Sequence, residues 1–246
     1  MTFQIRRFGG PTAVFTVGGL TFMTDPTFDP PGDYPLGTRV LTKTAAAAGT
    51  PADAGTVDVV LLSHDQHPDN LDHSGRAFAA SVPLILSTPV AAARLGDPTV
   101  GLEPWAGVDL PRPDGAGHVR VTAVPAQHGP DGTEHLTGPV TGFVLHGDGV
   151  PTVYVSGDNA SLRVVAEIAE RFPAVDVAIL FGGRARTALL GDADLTLGAA
   201  GILEAAQLLQ ARTVVPVHVD SWAHFTEGPE DVRAAFEAVG SAHLLG

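Results

Sequence analysis

The first part of the chain alternates short apolar runs with pairs of glycine. Residues 2–8, 12–17 and 20–24 read TFQIRRF, TAVFTV and LTFMT, and Gly9-Gly10 and Gly18-Gly19 stand between them. Apolar runs of this length, bounded by glycine, are typical of strands joined by tight turns. We therefore predict an antiparallel meander at the start of the chain.

The segment from Asp25 to Thr56 has a different character, because it is rich in proline, glycine and alanine and shows little periodicity. We predict an irregular loop here. Loops of this length are uncommon inside compact domains, and they usually carry function or move.

Continuous apolar runs then replace the alternating ones. Residues 57–62 and 83–87 read VDVVLL and PLILS, and the segments 72–80 and 89–95 between and after them have the composition of short helices. Buried strands that alternate with helices indicate α/β organisation.

The second half of the chain repeats this arrangement. We predict strands at residues 118–126, 139–145, 152–157, 175–181 and 212–219, and helices at residues 161–172, 195–210 and 229–240. The total is roughly ten strands and about five helices, with no internal repeat and no linker. We expect one α/β (α+β) domain over residues 1–246.

The composition narrows the classes of function. Fourteen Lys and Arg against 27 Asp and Glu give a net charge of −13, which opposes binding to nucleic acids and anionic membranes. There is no cysteine, so a metal site must use imidazole and carboxylate ligands. The N-terminal segment lacks the apolar stretch of a signal peptide, and no apolar run is long enough to span a membrane. We expect a soluble, cytoplasmic protein that acts on a small molecule. The oligomeric state stays open, with a homo-oligomer through the apolar loop at Leu189 and Leu190 as one alternative.

Histidine and aspartate residues stand at the ends of four predicted strands. His64, His128, Asp158 and His218 each follow an apolar run. Because neighbouring strands bring their ends together, these four side chains can converge on one point. Imidazole and carboxylate ligands of this kind describe a Zn²⁺, Mn²⁺ or Fe²⁺ site.

The order of these motifs carries a family resemblance. LLSH with its following histidine and aspartate, then AQH, then SGD, then PVH resemble the metallo-β-lactamase superfamily, particularly its branch similar to ascorbate-6-phosphate lactonase. The resemblance covers nearly the whole chain, including Asp25 after an early strand. It implies a four-layer αββα sandwich that uses one or two metal ions, Zn or Mn, to activate water for hydrolysis.

The first motif departs from the family pattern H-x-H-x-D-H. The stretch S-H-D-Q-H-P-D-N fits it in two registers, one placing Gln66 and the other His67 at the second histidine. We prefer the second register, which keeps His67 and Asp69 as ligands and puts Asn70 in place of the last histidine. The resemblance then implies a first metal at His64, His67, His128 and Asp158, and a second at Asp69, Asp158 and His218. Since one imidazole is missing, we expect one tightly bound ion and a second that is weakly bound, different or absent. The loss should weaken the binding of Mn²⁺ less than that of Zn²⁺.

The candidate catalytic residues are Asp69, Asp158 and His224. Either carboxylate could orient the water and handle its proton, while His224, in the segment VDSWAHF, is either a substrate-binding residue or a packing histidine. His73 is either a ligand or an exposed helix-start residue, and Asp25 either supports the site or makes an ordinary turn. For an anionic substrate, the candidate cations are Lys43, Arg184 and Arg186.

The leading hypothesis is a metal-dependent hydrolase that acts on a small-molecule ester, lactone or phosphodiester. The alternative is a non-catalytic metal- or ligand-binding protein with a degenerate site, which the altered stretch from His67 to Asn70 would explain. A nuclease is disfavoured by the acidity of the chain.

Overall fold

The first of two mixed sheets is built mainly from the first hundred residues. A computed structural model describes residues 3–246, so Thr2 of the first predicted strand lies outside the described residues. The strands of this sheet are β1 (Ile5–Gly9), β2 (Thr12–Val17), β3 (Leu20–Thr24), β6 (Val59–Leu61), β7 (Leu84–Ser87) and β8 (Thr99–Gly101). They lie in the order β1-β2-β3-β6-β7-β8, antiparallel up to β3 and parallel from there. The predicted meander is present, with its two glycine turns.

The second sheet has the same organisation. Its strands are β9 (Gly107–Pro111), β10 (His118–Pro125), β11 (Thr141–His146), β12 (Val153–Val155), β13 (Val177–Phe181) and β14 (Thr213–Val217). Strands β9 to β12 pair antiparallel, and β12, β13 and β14 pair parallel. Every residue of β12 and β13 is buried, as expected for parallel strands covered on both faces.

Six α-helices cover the outer faces of the sheets or join the strands. They are α1 (His73–Ala79), α2 (Pro89–Leu95), α3 (Glu134–Thr137), α4 (Leu162–Arg171), α5 (Ala199–Leu208) and α6 (Pro229–Ala238). Asp72 and Ser161 cap α1 and α4 through hydrogen bonds to Gly75 N and Val164 N, which is why these starts are readable from sequence. No helix within residues 3–246 has the length and apolarity needed to cross a membrane.

Three clusters of buried side chains separate the layers. The first lies between the sheets, where Phe15 and Phe22 of one sheet and Phe143 and Phe181 of the other belong to one cluster. A second fills the space between the second sheet and helices α4 to α6, and a third lies between the first sheet and the α1 side. The layers therefore run helix, sheet, sheet, helix, the αββα order that the resemblance implies, in a single domain.

The loop predicted from Asp25 to Thr56 is only partly irregular. It contains a two-stranded hairpin, β4 (Gly32–Leu36) and β5 (Arg39–Lys43), and a 3-10 helix at Pro51–Ala54. The pattern was hidden because β4 carries Pro35 and is exposed at alternate positions, so it lacks a continuous apolar run. An isolated hairpin needs packing partners to be stable, and here its inner side faces the rest of the domain.

The predictions from sequence also missed some of the strands and placed the start of one helix too early. Residues 3–246 form fourteen strands. The strands that were not predicted are β8, β9 and the two strands of the hairpin. Helix α5 begins at Ala199, four residues after the predicted start at Leu195. Leu195 and Leu197 instead donate backbone hydrogen bonds to Ala185 and Asn159, which holds this stretch extended.

Gly75 lets α1 pack closely against the segment that follows β3. A Cβ atom at this position would lie 1.7 Å from the carbonyl oxygen of Pro26, a backbone atom that cannot rotate away. We expect Gly75→Ala to lower the free energy of unfolding by about 2–3 kcal/mol or more, as measured by denaturant titration. The matched control is Gly201→Ala in α5, where the nearest atom is the movable end of Leu197 at 3.1 Å. There we expect a change within about 1 kcal/mol, and an equal loss in both variants would contradict this account.

Candidate metal centre

The ends of four strands meet at one edge of the two sheets. His64 follows β6, His128 follows β10, Asp158 follows β12, and His218 follows β14. The loop between β6 and α1 adds two more ligands beside them. Two donor groups result, in each of which the ligand atoms lie within 4.8 Å of one another: the first donor group of His64, His67, His128 and Asp158, and the second donor group of Asp69, Asp158 and His218.

Hydrogen bonds orient the imidazoles of the first donor group. His64 Nδ1 lies 2.8 Å from Ser63 Oγ, which in turn donates to the Asp25 carboxylate. His128 Nδ1 lies 2.7 Å from the carbonyl oxygen of Leu195. Because each Nδ1–H is used in this way, the Nε2 lone pair of both rings is left for a metal. Asp25 therefore supports the ligands, which was one of its two predicted roles.

The spacing within the first donor group suits a metal ion. His64 Nε2 lies 2.9 Å from His67 Nδ1 and 3.9 Å from Asp158 Oδ2, and His128 Nε2 lies 3.6 Å from the same Oδ2. Ligand atoms about 2.0–2.1 Å from a tetrahedral Zn²⁺ are roughly 3.3 Å apart. The group therefore surrounds one point at distances close to those of a four-coordinate site.

The second donor group has fewer ligands. His218 lies between two carboxylates, with Nε2 3.3 Å from Asp69 Oδ2 and Nδ1 3.7 Å from Asp158 Oδ1. His224 Nε2 also approaches Asp69 Oδ2, at 3.1 Å. Asp158 belongs to both groups, so it is the residue that joins them.

Asn70 occupies the place of the missing histidine, and its two amide atoms differ: the nitrogen binds neighbouring carboxylates, whereas Oδ1 is buried and makes no hydrogen bond within the described part of the chain. Its Nδ2 donates to Asp25 Oδ2 at 2.9 Å and to Asp158 Oδ1 at 3.2 Å. An amide that donates to two carboxylates holds them in position, and it offers no lone pair through that nitrogen. The second donor group therefore contains three His and Asp side chains, and the weaker second ion stays a prediction.

Buried polar atoms without partners test whether these residues fit a metal. Asp69 Oδ1, Asp158 Oδ2 and both ring nitrogens of His218 are buried and make no hydrogen bond within the described part of the chain. Leaving such groups unpaired costs about 1–3 kcal/mol each. A divalent cation among them would satisfy these atoms together, so the donor set fits a resident metal.

Burial and neighbouring charge set the protonation of the site. Burial lowers the pKa of His67 to about 4, although Asp69 and Asp158 oppose the shift. Burial also lowers the pKa of His64 well below its usual value. For His218, burial acts downward, but Asp158 and Asp69 outweigh it and raise the pKa to about 9. His64 and His67 are therefore neutral and ready for a metal, whereas His218 carries a proton in its absence.

The backbone has a positive φ at two positions of the site, Gly157 and His218. Gly157, directly before Asp158, has φ +58°, and a Cβ there would lie 2.5 Å from the carbonyl oxygen of Thr141. His218 itself has φ +57°, a conformation that L residues rarely adopt. Its backbone N–H donates to the carbonyl oxygen of Gly10 at 2.6 Å, which helps to hold this strained geometry.

A cavity of about 360 Å³ opens over the metal ligands. It reaches His67, Asp69, His128 and His224. Its remaining walls come from the hairpin and from the segment after β13: Leu36, Arg39, Val40, Leu41, Ala185, Arg186, Thr187, Ala188 and Leu195. Most of these side chains are apolar, so the cavity suits a small molecule with an apolar part.

Several sequence candidates lie elsewhere. Gln66 points away, with Nε2 3.3 Å from the carbonyl oxygens of Thr137 and Pro139. His73 is exposed at the start of α1 and belongs to neither donor group. Two of the three cations suggested for the pocket are not among the residues that line it. Lys43 is buried against Asp72, and Arg184 binds Asp194 and Glu227.

Comparisons with known proteins show which family the chain belongs to. A β-lactamase superfamily domain model matches residues 21–219. A UPF0173 metal-dependent hydrolase of Pelotomaculum thermopropionicum is 30% identical over 201 residues, covering 78% of this chain and 80% of the relative. The chain belongs to the UPF0173 family of metal-dependent hydrolases, within the metallo-β-lactamase superfamily.

Solved structures show the same fold. A possible metal-dependent hydrolase from Veillonella parvula aligns with a TM-score of 0.83 at 19% identity, covering 100% of this chain and 96% of the other. An isothiocyanate hydrolase from Delia radicum gut bacteria aligns with a TM-score of 0.81 at 22% identity, covering 98% and 94%. These likenesses show that this chain has the metallo-β-lactamase fold.

Sequence reasoning missed three residues around the centre of this UPF0173 hydrolase. Ser63 links His64 to Asp25, Arg94 forms an ion pair with Asp65 in the ligand loop, and Arg39 reaches the cavity from the hairpin. Ser63 and Asp65 flank His64 in sequence, so their position beside a ligand was a usable signal. The contribution of Arg39 depends on how the hairpin folds over the site, and no local pattern carries that information.

The protonation of His218 makes the affinity of the second donor group depend on pH. A metal must displace a proton whose pKa is about 9, while His64 and His67 are already neutral. We expect the affinity of the second donor group to rise about tenfold per pH unit from about pH 7 to about pH 9. The first donor group should change less. Competition with a chelator across this range measures both, and the steep component should be absent in His218→Ala. Equal slopes in the parent and in this variant would contradict the assignment.

Proposed function

We propose that this chain uses a metal-activated water to hydrolyse a small-molecule ester or lactone, with a phosphodiester as the less favoured substrate. The observation that carries the proposal is the first donor group at the base of a cavity of about 360 Å³. A cavity of that size accepts a small molecule. The proposed partner is accordingly a small-molecule substrate.

The unequal donor groups favour a carbonyl substrate over a phosphodiester. Two-metal sites stabilise the attacking and leaving oxygens of a phosphoryl displacement together. Here the second donor group has three His and Asp side chains against four in the first, and the Asn70 amide nitrogen donates hydrogen bonds to Asp25 and Asp158. The resemblance to ascorbate-6-phosphate lactonase supports including lactones in the substrate class.

Metal chemistry supplies the nucleophile in this proposal. A divalent ion held by these residues would supply a water whose pKa is lowered from about 15.7 toward about 7 and a Lewis acid for the electrophile. In a hydrolysis, hydroxide forms the new bond to the carbonyl carbon, and the bond to the leaving oxygen breaks. The leaving oxygen then needs a proton.

Asp69 and His224 are placed to handle that proton. Asp69 Oδ2 lies 3.1 Å from His224 Nε2, and Asp69 Oδ1 has no hydrogen-bond partner. Burial works against ionisation of Asp69, but the adjacent imidazoles of His218 and His224 outweigh it and hold its pKa well below the usual value. We propose that Asp69 orients the water and that His224, on the cavity wall, passes a proton to the leaving group. Asp158 would hold the ligands of both donor groups together.

The test compares His224→Gln with His73→Gln in metal-loaded protein. Substrates would be 4-nitrophenyl butyrate, γ-butyrolactone and bis(4-nitrophenyl) phosphate. We expect His224→Gln to lower kcat for γ-butyrolactone, whose alkoxide leaving group needs a proton, about 10²- to 10⁴-fold without loss of the tight metal. The kcat for 4-nitrophenyl butyrate should fall much less, because 4-nitrophenolate leaves without a proton. His73 is exposed and outside both donor groups, so its variant should behave as the parent does.

The same panel separates an enzyme from a binding protein. Metal-dependent turnover of the ester or lactone that exceeds turnover of the phosphodiester supports the proposal. If metal-loaded protein turned over none of the three substrates but still bound small-molecule analogues, the non-catalytic alternative would replace it. Unchanged kcat for γ-butyrolactone in His224→Gln would contradict the role given to His224.

A further inference from the structure

The inner side of the hairpin brings one guanidinium to the cavity. Along β5, Arg39, Leu41 and Lys43 are half-buried or buried, whereas Val40 and Thr42 are exposed. Across the hairpin, Leu36 pairs with Arg39. Leu36, Arg39 and Leu41 all line the cavity, so Arg39 sits among apolar side chains near the hairpin tip.

The cations around this cavity differ in what balances their charge. Lys43, at the base of the hairpin, lies 3.3 Å from the buried carboxylate of Asp72. Arg186, on the opposite wall, donates to Asp194 at 2.7 Å. Arg39 has no carboxylate oxygen within 4.0 Å among residues 3–246. Its charge is therefore the one on the cavity wall that a bound anion could neutralise.

A neutral hydroxyl holds Arg39 in place without using its charge. One terminal nitrogen donates to Thr187 Oγ1 at 3.0 Å, across the cavity from β5. Thr187 begins the 3-10 helix at Ala188–Leu190 and also lines the cavity. A guanidinium has five N–H donors in a planar fork, so donors remain for a two-pronged contact with an oxyanion.

We propose that Arg39 is a substrate-binding residue that recognises an oxyanion group, a carboxylate or a phosphate, remote from the reacting carbonyl. The inference rests on the proposed function, and it defines the substrate as a small ester or lactone with an apolar body and an anionic group. The apolar walls strengthen the contact, because charges interact more strongly where water is excluded. The contact also gives a chain of net charge −13 a local means of holding an anion.

The test measures binding to metal-loaded protein with pairs of hydroxamates. Pentanohydroxamic acid and glutaric acid monohydroxamate share the metal-binding end, and only the second carries a carboxylate. We expect the parent to bind the anionic compound about 10- to 100-fold more tightly. This preference should disappear in Arg39→Gln and persist in part in Arg39→Lys. A phosphonate analogue, 4-phosphonobutanohydroxamic acid, shows which oxyanion the site prefers.

Arg186→Gln is the matched control, because it removes a guanidinium from the same cavity. Its charge is already offset by Asp194, so the anion preference should survive. Metal content, measured on every variant, shows whether the centre is intact. Equal affinity of the parent for the neutral and anionic compounds, or a preference that persists in Arg39→Gln, would overturn the proposal for Arg39.

The binding signals also separate this proposal from the proposed function. An Arg39-dependent anion preference without hydrolysis of any ester or lactone would support the anion site and contradict the hydrolytic role. Hydrolysis of neutral esters without any anion preference would support the hydrolytic role and overturn the anion site. Failure of the metal-loaded protein to bind either hydroxamate would contradict both.

Discussion

The buried carboxylate of Asp158 is the point on which the rest of the centre depends. Its side chain is 1% exposed, and it faces imidazoles of both donor groups within 4 Å. Burying a carboxylate is costly unless it is paired or bound to a metal. The fold meets this cost by placing three imidazoles and the Asn70 amide around one residue. Gly157 is part of the same arrangement, because a Cβ at this position, directly before the aspartate, would lie 2.5 Å from the carbonyl oxygen of Thr141.

The candidate metal ligands and the walls of the cavity come from different parts of the fold. The candidate ligands come from strand ends and the loop before α1, where His64 and His128 donate hydrogen bonds to Ser63 Oγ and to the carbonyl oxygen of Leu195, which fixes their orientation. The substrate side is formed by the hairpin and by the segment after β13. In such an arrangement the cavity walls can determine which substrate binds without any change in the metal ligands.

Much of the fold was predictable because local signals were strong. Glycine turns marked the meander, capping residues marked the starts of α1 and α4, and continuous apolar runs marked the parallel strands. Ligands at strand ends could be proposed for the same reason, since parallel strands end at a common edge. The hairpin could not, because Pro35 and its exposed positions obscure its period. The behaviour of Asn70 and Arg39 depends on contacts between distant segments, which no local pattern encodes.

The most direct test of the central claim is anomalous diffraction from crystals of metal-loaded protein. We predict a tight ion enclosed by His64, His67, His128 and Asp158, with a weaker or absent peak beside Asp69 and His218. In Asp158→Ala crystals, the tight ion should be lost or reduced to low occupancy. A fully occupied ion on ligands other than the first donor group, or one that keeps its position and occupancy without Asp158, would contradict the account.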